Sequence, residues 1–278
     1  MNTLSSEVAG ILPAPANRKA SPSQVLVEVA QDYPSVVRES QLTDVERIAF
    51  HIGLIQRYGK AGGRICDMGG GVGMFAPACA ALGYDTTLID DFRDELAFNC
   101  GGNLFAPHAR HGVKVISRDV MTEPVRFLED EFPEGSFDVV TVFDSMEHWR
   151  HSVRPLFRSL KKSLAADGIF IICSPKRKNL PRRVLNLLRG RHRSTVREWY
   201  DSDLLHDEVR EPGVSDLRYI CRDLGLKILS IMGRNWLDRM SYPALSRFSD
   251  PLLRVWPETC SDMYLVGAKF IKIHTLKE

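Results

Sequence analysis

The fold of this chain is decided by the stretch Arg64-Ile65-Cys66-Asp67-Met68-Gly69-Gly70-Gly71-Val72-Gly73, in which an apolar run passes into four glycines. An apolar strand that runs into glycine-rich backbone brings bare amide groups close to a ligand at the N-terminus of the next helix. A second apolar run, Thr87–Ile89, ends in Asp90. A carboxylate at the tip of the second strand suits the hydroxyls of a bound ribose. This half of the sequence therefore predicts a site for a cofactor that contains a nucleoside.

The spacing of the glycines distinguishes between classes of nucleotide site. The dinucleotide fingerprint Gly-x-Gly-x-x-Gly fails at both starting points, because Met74 and Ala76 stand where a glycine is required. A phosphate-binding loop would need Gly-Lys-Ser or Gly-Lys-Thr, which the stretch lacks. The pattern that stands here is Asp67-x-Gly69-x-Gly71-x-Gly73. It resembles the first motif of the class I S-adenosylmethionine-dependent methyltransferases.

The resemblance to this family covers residues 62–272 and implies a role for several further side chains. It implies that Asp90 holds the ribose hydroxyls and that Asp119 receives the adenine amino group. It also implies that Phe143 and Asp144 face the methionine part of the cofactor. The implied cofactor is S-adenosylmethionine, and the implied binding residues are Asp67, Gly69, Gly71, Gly73, Asp90, Asp119, Val120, Phe143 and Asp144.

Strand and helix patterns alternate along the same region, which indicates a parallel sheet with helices on both faces. Strands are predicted at Arg64–Cys66, Asp85–Ile89, Lys114–Ser117, Asp138–Phe143, Ile169–Cys173, Lys227–Ile231 and Met263–Ile271. The family implies an α/β fold, a Rossmann-like three-layer sandwich. Its seven-stranded sheet would be mostly parallel, with an antiparallel last strand.

The chain divides into three segments by composition and periodicity. Residues 1–24 are rich in Ala, Pro and Ser and are expected to form a flexible tail. Residues 25–60 predict a helical cap, in which Thr43 is placed to cap a helix ahead of Glu46. Residues 61–278 are expected to form the methyltransferase domain, with a basic insert at 176–200.

Composition limits the classes of function. A formal net charge of +2 over 278 residues does not by itself argue for nucleic acid. The six cysteines are scattered without a Cys-x-x-Cys pair, so neither a metal site nor a disulfide framework is expected. We find no apolar run of membrane-spanning length and no signal-peptide pattern at the N-terminus, which favours a cytoplasmic protein.

Some of the residues that could carry chemistry have an alternative structural explanation. The glycines can serve a tight turn alone, and Asp119 can cap a helix. Glu147 and His148 match a Glu-His signature of the family, in which the pair is often structural. An oxygen or nitrogen acceptor of high pKa needs a general base, and the candidates are His148, His151 and His206. A carbon acceptor or an amine that is already neutral would need none of them.

The basic insert offers a second candidate binding surface. Residues 176–197 contain nine Lys and Arg residues and no acid. They can form an anion-binding lid, with Arg182, Arg183, Arg191 and Arg193 as substrate ligands, or a solvated loop paired with nearby acids. Residues 180–193 are also a candidate for peripheral membrane contact. No stable nucleic-acid partner is expected, because aromatic side chains for base stacking are sparse there.

The sequence thus predicts a methyltransferase that acts on a small-molecule or glycan acceptor, at oxygen or nitrogen rather than carbon. One alternative is a methyltransferase for nucleic acid or a lipid-linked substrate at a membrane surface. Another is a regulatory module that binds S-adenosylmethionine without catalysis. The sequence does not determine the acceptor or the oligomeric state.

Overall fold

The apolar runs of the sequence form one seven-stranded sheet in the computed structural model, which describes residues 20–93, 105–120, 126–149, 152–175, 212–236 and 256–269. The strands are β1 (Arg64–Met68), β2 (Asp85–Asp90), β3 (Lys114–Ser117), β4 (Phe137–Phe143), β5 (Leu164–Pro175), β6 (Leu226–Arg234) and β7 (Asp262–Lys269). Their order across the sheet is β3-β2-β1-β4-β5-β7-β6. Each predicted strand is present, and β5 and β6 are the ones that run furthest beyond their predicted bounds.

The direction of the strands confirms the predicted fold class. Strands β1 to β5 pair in parallel. Strand β7 lies antiparallel between β5 and β6, with Cys173 opposite Tyr264. The sheet is therefore mostly parallel with an antiparallel last strand, as expected for a Rossmann-like three-layer sandwich. Its order reverses between β1 and β4, and the crevice at the carboxyl ends of such strands is where ligands bind in open α/β sheets.

Helices cover both faces of the sheet. They are α1 (Pro22–Ala30), α2 (Ser35–Thr43), α3 (Val45–Tyr58), α4 (Phe75–Ala81), α5 (Ala106–Arg110), α6 (Arg126–Glu131), α7 (Arg154–Ser163) and α8 (Val214–Asp223). Alternate residues of β5 face different helical layers. Ile169 and Ile171 pack with α1, α3 and α4, whereas Phe170 and Ile172 pack with α7 and α8. This alternation follows from side chains that point to opposite faces of a strand.

The segment that the sequence analysis assigned to a helical cap forms α1, α2 and α3, and the bounds of these helices differ from the predicted ones. It begins at Pro22, three residues before the predicted start, because Ser21 caps α1 through a capping box with Gln24. The cap then breaks at Pro34, which precedes α2. Thr43 does not cap α3: it ends α2, and its hydroxyl donates to the Ser40 carbonyl at 2.7 Å. No described helix has the length and hydropathy needed to cross a membrane.

Several sequence predictions fall on residues outside the described ranges. They include residues 1–19 of the expected tail. The basic insert and its four arginines, Arg182, Arg183, Arg191 and Arg193, also lie outside, as do His151 and His206. All of these remain predictions from the sequence.

The apolar layer under α7 is expected to dominate the stability of the fold. Leu160 of α7 is fully buried, whereas Leu42 of α2 is 37% exposed. We expect Leu160→Ala to lower the free energy of unfolding by about 2–5 kcal/mol, because it leaves a cavity in a packed core. Leu42→Ala is the matched helical control and should change it by less than about 0.5 kcal/mol. Urea unfolding followed by circular dichroism compares the two, and equal losses would contradict the packing described here.

Candidate functional site

The glycine loop between β1 and α4 needs its glycines for geometry as well as for space. Gly69 and Gly71 have positive φ angles, of 73° and 59°, which side chains rarely adopt. A Cβ added at Gly69 would lie 2.6 Å from the Cβ of Ser145 and 3.0 Å from the ring of Trp149. The loop therefore passes directly against the segment after β4. A side chain at Gly69 would push these two parts of the sheet edge apart.

Asp90, at the end of β2, holds the glycine loop in place. Its carboxylate accepts hydrogen bonds from the amide of Gly71 at 2.9 Å and from the amide of Phe92 at 2.7 Å. The neighbouring Asp91 is exposed and accepts from the amide of Arg93 at 3.1 Å. Asp90 is thus the acid that contacts the loop. Its role toward a ribose stays a prediction.

Asp67, at the end of β1, is a buried carboxyl. It is 1% exposed, and the hydroxyl of Thr141 donates a hydrogen bond to it at 2.7 Å. Removal from water raises the pKa of Asp67 from 3.8 to about 7, and the charge of Asp90 acts in the same direction, although the Thr141 hydrogen bond opposes both. The site therefore holds a carboxyl whose ionised form would be stabilised by a cation.

The helical cap forms the second wall of the site. The hydroxyl of Tyr33 donates to the Gly73 carbonyl at 3.1 Å, and the amide of Met74 donates to the side chain of Gln41 at 3.0 Å. Arg47 of α3 forms ion pairs with Asp44 and with Asp144, which follows β4. The cap is therefore joined both to the glycine loop and to the carboxyl end of β4.

A cleft of about 270 Å³ lies between these walls. Its lining combines the glycine loop and Asp67 with cap residues that include Arg47 and His51, and with Phe143 and Asp144 from the end of β4. Asp144 has a positive φ of 50°, a backbone conformation that non-glycine residues adopt mainly at special sites. The cleft thus brings together the glycines, Asp67, Phe143 and Asp144, and their roles toward a cofactor remain predictions.

The other predicted site residues within the described ranges do not belong to the lining of this cleft. Asp119 follows β3 and accepts a hydrogen bond from the guanidinium of Arg93 at 3.2 Å, and Val120 beside it is buried in the core. His148 lies on a 3₁₀ turn, with its side chain 57% exposed. Among the described residues, no predicted histidine therefore lines the cleft.

The sequence analysis missed the polar residues that the cap contributes. Arg47 and His51 are four residues apart on α3, and His51 is only 2% exposed. The available signal was their position beside the apolar stripe that runs from Val45 to Ile55. A polar side chain on the buried face of a helix requires a partner, but the partner's identity could not be read from the helix alone.

The close approach at Gly69 leads to a prediction about the loop. We expect Gly69→Ala to lower the free energy of unfolding by about 2–5 kcal/mol, because about 1–2 kcal/mol of backbone strain adds to overpacking. Gly83→Ala is the matched control, since Gly83 also has a positive φ but an added Cβ would meet nothing within 4 Å. Gly83→Ala should therefore lower the free energy of unfolding only by the backbone strain. Chemical unfolding of both variants measures the difference, and equal losses would mean that the loop can move away from Ser145.

The buried carboxyl of Asp67 predicts a pH dependence of stability. A carboxyl whose pKa rises on folding contributes stability that is full below its unfolded pKa of 3.8 and is lost as the pH rises through about 7. Asp67→Asn keeps an acceptor for Thr141 but carries no charge. We therefore expect the variant to gain stability relative to the ligand-free wild type between about pH 5 and about pH 8. Urea unfolding at both pH values tests this, and a parallel pH dependence of the two proteins would contradict it.

Comparisons with known proteins agree with this geometry. A family model described as a methyltransferase domain matches residues 44–231, more than half of the chain. The match includes α3, the glycine loop, and the ends of β2 and β4. No curated protein matches the chain significantly.

Solved structures show the same fold at low sequence identity. One is a methyltransferase from Thermotoga maritima, described as a possible histamine N-methyltransferase. It is 13% identical, with a TM-score of 0.50 over 89% of this chain and 99% of that one. Another is an S-adenosylmethionine-dependent methyltransferase from Methanosarcina mazei, 13% identical, with a TM-score of 0.50 over 79% and 98%. With the family match and the glycine loop, these likenesses lead to one conclusion: this chain belongs to the methyltransferase-domain family and has the class I methyltransferase fold.

Proposed function

We propose that this enzyme transfers the methyl group of S-adenosylmethionine to an oxygen or nitrogen atom of a small molecule or glycan. The observation that carries the proposal is the cleft between the glycine loop and the cap, which exposes bare backbone beside the carboxyls of Asp67 and Asp144. S-adenosylmethionine supplies an activated methyl group on a positively charged sulfur. The protein must hold the acceptor in line with that methyl group and exclude water.

The chemistry of the cleft suits this cofactor. Its amino and sulfonium groups are positive, and Asp67 is a buried carboxyl that a cation would favour in the ionised form. The glycines put no side chain between the loop backbone and the cleft that they line. We assign the methionine part to Asp67, Phe143 and the glycine loop. The ribose would contact Asp90, and the adenine amino group Asp119.

The size and charge of the cleft support a small acceptor group. Its volume is about 270 Å³, and the helices α2 and α3 form one wall. The acids Asp44, Asp67 and Asp144 line it, and its described cation, Arg47, is paired with two of them. This composition favours a neutral or cationic group at the reacting end. An anionic part of the acceptor would depend on the arginines of the basic insert, as would contact of residues 180–193 with a membrane.

The first test asks which of two neighbouring acids at the end of β2, Asp90 or Asp91, contacts the cofactor. We expect Asp90→Ala to weaken S-adenosylmethionine binding by roughly 10- to 1,000-fold, because a carboxylate that accepts ribose hydroxyls makes charge-assisted hydrogen bonds of about 1.5–3 kcal/mol each. Asp91→Ala, at the exposed neighbour, is the control and should bind like the wild type. Titration calorimetry with the cofactor and with its demethylated product measures both. Loss of binding in Asp91→Ala alone would mean that the strand register is wrong by one residue.

A binding experiment and a transfer experiment together test the activity. The wild type should bind S-adenosylmethionine at micromolar concentration, on the order of −7 to −8 kcal/mol. It should also transfer labelled methyl to a member of a panel of phenols, sugars and amines. Absence of heat with both the cofactor and its product, or tight binding of a nicotinamide dinucleotide, would contradict the proposed function.

A further inference from the structure

His51 is an imidazole that the family motifs do not include, and the structure sets it in the wall of the cleft. Its ring stacks on Phe143, with the ring centroids 4.2 Å apart and the planes 24° from parallel. Its Nε2 atom lies 3.1 Å from the hydroxyl oxygen of Tyr264 on β7. Phe143 and Tyr264, from two different strands of the sheet, therefore hold the imidazole by ring stacking and by a hydrogen bond at Nε2.

The hydrogen bonds around Tyr264 indicate which nitrogen of His51 carries the proton. The indole of Trp236 can only donate, and it donates to the Tyr264 oxygen at 3.0 Å. Tyr264 has one hydrogen of its own. The thiol of Cys173, opposite Tyr264 on the neighbouring strand β5, interacts with its hydroxyl, and the Cys173 sulfur donates to the Asp144 carboxylate at 3.3 Å. If the hydroxyl hydrogen goes to Cys173, the Tyr264 oxygen accepts from both Trp236 and His51.

In that arrangement the hydrogen bonds form a chain with one direction. It runs from the Trp236 and His51 donors through Tyr264 and Cys173 to the carboxylate of Asp144, which is paired with Arg47. A chain that ends at an anion orients its donors toward that anion. A neutral His51 then carries its hydrogen on Nε2, and its basic lone pair is on Nδ1.

We propose that His51 accepts the proton of a hydroxyl acceptor during methyl transfer, with Tyr264 and Trp236 holding its tautomer. The proposal rests on the proposed function and narrows it to O-methylation. A hydroxyl has a high pKa and needs a base, whereas a neutral amine needs none. In the step, the acceptor oxygen bonds to the methyl carbon, the carbon–sulfur bond breaks, and its electron pair stays on sulfur. The hydroxyl proton passes to Nδ1 of His51 and is later released to water.

Other ionisable groups share the cleft with His51, and their arrangement fits this role. Asp67 from β1 and the ion-paired Asp144 after β4 are acids, and Arg47 lies four residues before His51 on α3. Cys173 and Tyr264 behind the imidazole are held neutral, because burial raises the pKa of both well above its ordinary value. The acidic side of the cleft would stabilise the imidazolium that forms when His51 takes the proton.

The first experiment compares two histidines by the same substitution. His51→Gln retains an amide donor for Tyr264 but has no basic nitrogen. His148→Gln removes the exposed candidate on the 3₁₀ turn. Labelled S-adenosylmethionine is offered to all proteins with phenol, catechol, a methyl glycoside and a primary amine. We expect transfer to a hydroxyl compound, with kcat for His51→Gln lowered about 100-fold or more and that for His148→Gln within about threefold of the wild type.

The second experiment does not require an acceptor. Long-range ¹H–¹⁵N correlation spectra of the labelled protein report which nitrogen of His51 is protonated. We expect the Nε2–H form in the wild type and mixed tautomers in Tyr264→Phe, which lacks the hydroxyl oxygen. Calorimetry with S-adenosylmethionine should give affinities within about threefold of the wild type for His51→Gln, which separates a loss of transfer from a loss of cofactor.

Each remaining outcome would overturn the inference. Transfer to the amine only, near-normal transfer by His51→Gln, or an Nδ1–H tautomer in the wild type would exclude His51 as the base. Loss of transfer in His148→Gln alone would assign the proton to His148. A wild type that binds the cofactor but methylates no member of the panel would contradict the proposed function itself, and the role of His51 with it.

Discussion

The ion pair between Arg47 and Asp144 joins the helical cap to the carboxyl end of β4, and the cleft depends on this junction. Both side chains are largely buried, so each charge would be costly without the other. Asp44 adds a second carboxylate to the same guanidinium, at 2.5 Å. Because these contacts come from α2 and α3 on one side and from the sheet on the other, they define the width of the space in which a ligand can lie.

Acidic groups dominate the chemistry of that space. Asp67 is buried under the glycine loop with its pKa raised to about 7, and Asp144 adopts a left-handed backbone conformation to reach Arg47. Buried carboxyls and strained backbone both cost stability, and both are found where a ligand or a reaction requires them. The positive charge of S-adenosylmethionine would offset part of this cost. Binding and folding are therefore expected to be coupled at the same residues.

Behind His51, the wall of the cleft is built from neutral side chains that hydrogen bonds hold in place. Trp236, Tyr264 and Cys173 come from the segment after β6 and from β7 and β5, and they meet only because β7 lies between those strands. The indole of Trp236 donates to the hydroxyl oxygen of Tyr264, which also lies within hydrogen-bond distance of His51.

The sequence by itself determined the alternation of strands and helices and the position of the glycine loop. These features follow from local patterns: an apolar strand that runs into Asp67 and four glycines, and a second strand that ends in Asp90. The seven-stranded sheet with its antiparallel last strand was implied by the resemblance to the methyltransferase family. The sequence also indicated a helical cap, although the break at Pro34 and the cap residue of α3 were misjudged, since several residue types can end or begin a helix. Asp67, Phe143 and Asp144 were named through the resemblance to the methyltransferase family, and all three lie in the lining of the cleft.

Only the tertiary structure decided which side chains from separate elements share the cleft. Arg47 and His51 look like flanking residues of an amphipathic helix until α3 is set against β4 and β7. Their partners, Asp144 and Tyr264, are distant in the chain: His51 and Tyr264 are 213 positions apart. Local periodicity reports which face of a helix is buried but carries no information about what it is buried against. The physical reason is that burial demands a partner for each polar group, and the fold alone supplies it.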